Sequence, residues 1–169
     1  MGTVIYSASP LQAFQGLFIT ILVMLVLGVV GLAATIFQPK RGKGTRIAMG
    51  AAGGVLLMAG FVAAVFTFRT ISSGAEAVAA RLNDKTIAQE NCGDNGETCD
   101  RYILETSAGD VAYDFVVNAQ AYDLAQVNTC YQVTFYKSKS PLNAAADANA
   151  YQRIETITNI VVADTSACP

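Results

Sequence analysis

The chain has 169 residues, of which 53% are hydrophobic and 14% charged, with a mean hydropathy of +0.39; one ordinary soluble domain is not this apolar. It contains no histidine and no tryptophan, which excludes a His-ligated haem, a His-containing zinc site and any Ser-His or Cys-His catalytic pair. No charged residue precedes Lys40 and every acidic residue lies from Glu76 onward, so residues 69–169 carry 7 basic against 13 acidic groups, a net of −6 that argues against binding nucleic acid.

Residues 1–10 form a short uncharged tail. A first apolar run follows, beginning near Leu11 and ending at Phe37. From Leu17 it reads LFITILVMLVLGVVGLAATIF, with fourteen Leu, Ile, Val and Phe and no charge. More than 18 apolar residues suffice to cross about 30 Å of hydrocarbon, and these fourteen favour the bilayer by roughly 4–8 kcal/mol. The run lacks a basic leader and is too long for the apolar core of a cleaved signal peptide.

Residues 38–46, QPKRGKGTR, make a basic turn: Pro39 stops the first helix and Gly42 and Gly44 loosen the chain. Lys40, Arg41, Lys43 and Arg46 place this turn on the cytoplasmic side by the positive-inside rule. Both termini are then extracytoplasmic, in a two-pass arrangement that suits a bacterial plasma (inner) membrane.

The second apolar run, Ile47 to Phe68, is again uncharged but rich in small residues. Gly50 and Gly54 form a GxxxG pair, and Gly60 and Ala64 repeat the spacing; the first run offers Gly28, Gly31 and Ala34. Small residues at this spacing let helices approach closely in lipid, so these positions are candidate packing residues, against the first span or against another protein. Neither span holds an ionisable residue, which argues against an ion path through this chain alone.

Beyond Arg69, the residues Ile71, Ala75, Val78 and Leu82 fall on one face of a helix, which predicts a helical stalk over 69–90. The β-rich domain is expected over 91–169. All four cysteines, Cys92, Cys99, Cys130 and Cys168, lie beyond the spans, and an even count on the exported side reads as two disulfides. Three pairings exist. The favoured one closes the CGDNGETC loop with Cys92–Cys99 and pins the C-terminus to a strand with Cys130–Cys168.

Strand candidates follow at Tyr102 to Thr106, at Val111 to Val117 (Val111, Tyr113, Phe115 and Val117 on one face) and at Cys130 to Phe135 (Tyr131, Val133 and Phe135 on one face). A turn is expected at Ser107 to Asp110, a helical turn at Ala119 to Val127, and a left-handed residue at Asn128. In Tyr151 to Ala163 the apolar step shifts between Ile154 and Ile157, which predicts a bulge or two strands. Four or five short strands with one helical turn, over roughly residues 100–165, are similar to an OB-like barrel.

No reaction centre emerges. Asp94, Asn95, Glu97 and Asp100 cluster oxygen ligands without the calcium-loop spacing. Lys137 to Ser140 alternate Lys and Ser in a polar loop where no lysine would lose its proton. The cysteines lack the tight pairs of a four-thiolate zinc site. The expected class is therefore a membrane protein of α+β type, with no catalytic residue, metal or cofactor. It would serve as an accessory or structural subunit that meets other membrane proteins and lipid, in a homo- or hetero-oligomer. The alternative is an anchored ligand- or peptide-binding module.

Overall fold

A computed structural model of the chain describes residues 2–37, 42–92, 97–137 and 151–168. The chain divides into two compact units, residues 14–72 and residues 1–13 with 73–169.

The first unit is a helical hairpin. α2 (Gln15–Phe37) and α3 (Lys43–Ser72) are each long and apolar enough to cross a membrane. At 1.5 Å per residue, α3 spans about 45 Å, more than the hydrocarbon thickness. Only 11% and 17% of their most apolar stretches are buried, little for helices so apolar all round. Their outer faces expose Leu22, Val30, Val55 and Phe61. α2 starts later than the sequence predicts, because a separate turn, α1 (Pro10–Ala13), precedes it. Ser9 and Gln12 cap that turn reciprocally: Ser9 N–H donates to Gln12 Oε1 (2.9 Å) and Gln12 N–H to Ser9 Oγ (3.3 Å).

The second unit is a seven-stranded mixed sheet. Its strands are β1 (Val4–Ser7), β2 (Glu76–Asn91), β3 (Thr98–Ala108), β4 (Val111–Val117), β5 (Cys130–Phe135), β6 (Tyr151–Ile154) and β7 (Ile157–Val162), in the order β1-β7-β5-β2-β3-β4-β6. All pairs are antiparallel except β4 with β6. One short helix, α4 (Ala119–Leu124), lies between β4 and β5, capped by the Asn118 side chain, which accepts from Ala121 N–H.

The helical stalk expected over 69–90 is not present. α3 ends at Ser72, Gly74 adopts φ +84°, and the chain then enters β2. Glycine tolerates that left-handed position after a helix C-terminus. The helical reading failed because Val78 and Leu82 are four apart, an even step that also suits a strand. Val78, Ala80 and Leu82 in fact point one way along β2, with Ala80 and Leu82 fully buried. Packing outweighs the helix propensity of an alanine-rich segment.

The barrel expected over this region is not closed. β1 and β6 are the two ends of the ladder. The sheet nevertheless curls strongly. β6 pairs with β4 and β7 pairs with β5, yet only Glu155 and Thr156 separate them. The shift between Ile154 and Ile157 is thus the junction of two strands.

Inside the curl, Phe115 packs against Phe135 at 5.6 Å between ring centroids, and Tyr113 lies 6.0 Å from Phe135. Leu82, Leu104, Val133, Ile154, Ile157 and Ile160 complete this core. The face predicted for β5 is the buried one; on β4 Phe115 and Val117 of the predicted face are buried, Val111 and Tyr113 are half-buried, and Asp114 on the other face is buried too. Asn128 adopts φ 65°.

Candidate functional site

Two surfaces carry the information: the seam between α2 and α3, and the polar exterior of the sheet around β1 and the β2–β3 ribbon.

The seam repeats every seven residues. On α2 it passes through Ile21, Gly28 and Thr35; on α3 through Arg46, Gly53, Gly60 and Thr67. A seven-residue period is that of left-handed helix pairs. The backbones meet at the glycines. A methyl group on Gly28 would lie 2.6 Å from Leu57 Cγ, and one on Gly53 would lie 2.9 Å from both Gly28 O and Leu32 N. Methyls on Gly31, Gly50 and Gly60 would come within 3.1 Å of Gly53 Cα, 3.3 Å of Thr35 Cγ2 and 3.1 Å of Leu25 Cδ2. Ala64 is half-buried.

Of the GxxxG pair, Gly50 meets the first helix and Gly54 does not: Gly54 has nothing within 4 Å of a built methyl, and Gly53, one residue earlier, is the close approach. Gly53 belongs to the seven-residue repeat rather than to a spacing of four. At the turn, Lys40 and Arg41 lie outside the described residues. Lys43 opens α3, and Arg46 Nε donates to the Thr35 carbonyl at 3.0 Å.

The tail placed outside the fold by the sequence forms β1. Val4 faces Val161, Tyr6 faces Ile160 and Ser7 faces Asn159 on β7. The approach is tight: a side chain on Gly2 would meet Val162 O. The run VIYS has strand-forming residues, but four of them, with a partner more than 150 residues away, give no usable local pattern. Val4, Ile5, Tyr6, Ser7, Asn118 and Gln120 line a shallow depression of about 290 Å³.

Both disulfides of the favoured pairing form, Cys92–Cys99 and Cys130–Cys168, with Cα separations of 5.8 and 5.9 Å. The first staples the far end of the β2–β3 ribbon. The second ties residue 168 to β5, just after the 3-10 turn Thr165–Ala167.

Near the stapled end four side chains close a ring of ion pairs. Glu90 contacts Arg101 (2.8 Å) and Arg153 (2.5 Å), and Glu155 contacts Arg101 (2.7 Å) and Arg153 (3.7 Å). The hydrogen bond from Arg153, with the charges of both arginines, holds the Glu90 carboxyl below its ordinary value. These residues lie on β2, β3, β6 and the β6–β7 junction; their separations of 54 and 63 positions hide them from sequence inspection.

Among the described residues, no group of three or more His, Cys, Asp or Glu is placed to hold a metal. Asp94 and Asn95 of the acidic loop and Ser138 to Ser140 of the Lys-Ser segment lie outside the described residues. Comparison with protein-family models, with characterised proteins and with solved structures finds no match to this chain.

Proposed function

We propose that this chain is a two-pass membrane protein whose hairpin anchors an OB-like half-barrel on the extracytoplasmic face, where it serves as a non-catalytic accessory subunit of a larger membrane assembly. The observation that carries this reading is the pairing of β1 with β7. β1 precedes the first apolar helix and β7 follows the second, so one sheet holds both ends of the hairpin on a common side. The basic turn, with Lys40, Arg41, Lys43 and Arg46, is left for the other side, which the positive-inside rule makes cytoplasmic. Two disulfides in the sheet unit fit an oxidising compartment.

The OB-like assignment is supported by connectivity. β2 sits between β3 and β5, β4 meets β6 in parallel, β7 returns to β5, and a helix fills the β4-to-β5 connection. The sheet is joined across its open side by the two-residue β6–β7 link rather than by a continuous ladder. The accessory role is favoured because the chain offers surfaces and, among the described residues, no constellation of reacting groups.

Extraction in mild detergent, sizing and mass spectrometry test the role: stoichiometric co-purification with other membrane proteins is expected, and a lone monomer overturns it. Orientation is tested separately in intact cells with a membrane-impermeant amine reagent. Lys85 is expected to react and Lys43 to be protected; the reverse pattern overturns the topology.

A further inference from the structure

The β2–β3 ribbon has an anchored half and a free half. At the base, β4 pairs with β3 from Tyr102 to Ala108. α4 and its C-cap add three contacts there: Lys85 Nζ donates to Ala125 O (3.0 Å) and lies 4.3 Å from the Tyr122 ring centroid, and Tyr122 packs on Tyr102 at 5.2 Å. Within this half β2 has left β5 at Arg81, and its register breaks between Leu82 and Asp84, leaving Asn83 as an extra residue that bends the strand. The pairing of β3 with β4 stops at Tyr102, opposite Ile87. Residues Ala88–Asn91 and Thr98–Arg101 pair with each other and, among the described residues, with no third strand. The Cys92–Cys99 bridge makes this outer half move as one piece.

The ring of Glu90, Arg101, Arg153 and Glu155 acts where that support is missing. It reaches from the two ribbon strands, past the end of β4, to β6 and the β6–β7 junction. We infer that this ring is an electrostatic latch: it holds the outer half of the ribbon against the β6–β7 junction, and its opening lets the stapled outer half swing about the Ile87–Tyr102 pair, where the pairing of β3 with β4 ends. The neighbouring charges are Asp100 on β3 and Asp114, the register partner of Arg153 on β4. All four ring side chains are 36–55% exposed. Their attraction is therefore weakened by salt, whereas the backbone pairing and apolar contacts at the base are not.

The test uses the full chain in detergent, with spin labels on ketone-bearing residues at exposed Glu97, near the tip, and exposed Leu124 on α4. Distances are measured by pulsed electron resonance. One narrow distance is expected at low salt. At about 1 M NaCl, and separately in Glu155→Arg, a second distance should grow, its ratio to the first rising about tenfold. Reversing all four charges together (Glu90→Arg, Arg101→Glu, Arg153→Glu, Glu155→Arg) should restore the single distance. An unchanged distribution in high salt overturns the latch. So does a Glu155→Arg chain that keeps the single distance. Should Glu155→Arg unfold, the salt series on the unsubstituted chain decides alone.

Discussion

Arg46 supplies Thr35 with the hydrogen-bond donor that Pro39 withholds. The carbonyl of Thr35 would ordinarily accept from the N–H four residues on, but position 39 is proline and has none. Arg46 Nε, on the facing helix, donates to it at 3.0 Å. One residue thus serves both the charge asymmetry of the turn and the closure of the hairpin. Arg46→Gln is expected to destabilise the hairpin by about 1 kcal/mol in detergent unfolding. In Pro39→Ala the carbonyl regains a helical donor, so the same Arg46 change should cost less in that background. Equal costs in both backgrounds would show that the two residues are uncoupled.

Gly53 and Gly54 should respond oppositely to enlargement. Gly53→Leu drives a side chain into Gly28 O and Leu32 N, a backbone clash that costs roughly 1–3 kcal/mol or separates the helices. Gly54→Leu enters open space and should leave hairpin stability unchanged. Crosslinking between cysteines placed at Thr35 and Gly50 measures the difference: it should be lost in the first variant and kept in the second.

The two disulfides should differ in weight. A bridge across 38 positions removes more freedom from the unfolded chain than one across 7. The chain-entropy relation gives about 4 kcal/mol for Cys130–Cys168 and about 2.5 kcal/mol for Cys92–Cys99. Replacing Cys130 and Cys168 with serine should therefore lower the urea midpoint of the sheet unit further than replacing Cys92 and Cys99. The opposite ranking would mean that the stapled ribbon, not the C-terminal tie, limits stability.

Acid should act on the ribbon before it acts on the core. Because the Glu90 carboxyl is held below its ordinary value of 4.5, its contribution is fully present above that value. It is lost as pH falls through the lowered one. With the labels at Glu97 and Leu124, the narrow distance should persist from about pH 7 to pH 5 and give way only once pH has fallen below 4.5. A ribbon that moves near neutrality would implicate a different group.

Local pattern made much of this fold legible. Uninterrupted apolar runs gave the spans, period two gave β4 and β5, and cysteine spacing gave the bridges. What stayed hidden depended on partners distant in the chain. Val4 to Ser7 become a strand only because β7 lies beside them. Glu90 and Arg153 become a pair only once β2, β3, β4 and β6 are adjacent. The stretch from Val78 to Leu82 is ambiguous for another reason: its step of four suits a helix and a strand alike, and burial in the sheet decides between them. Gly53 stands among the small residues of the second apolar run, but a spacing of four does not single it out, because the seam alternates three and four.

The pairing of Val4 with Val161 also sets a schedule. The first strand of the sheet is made before either apolar helix, yet its partner follows both of them. Until β7 is made, β1 has no edge to join. Closing it requires a connection more than 150 residues long, the kind of distant contact that forms late in folding. β1 should then be the final strand to dock, onto a sheet already built from the other six.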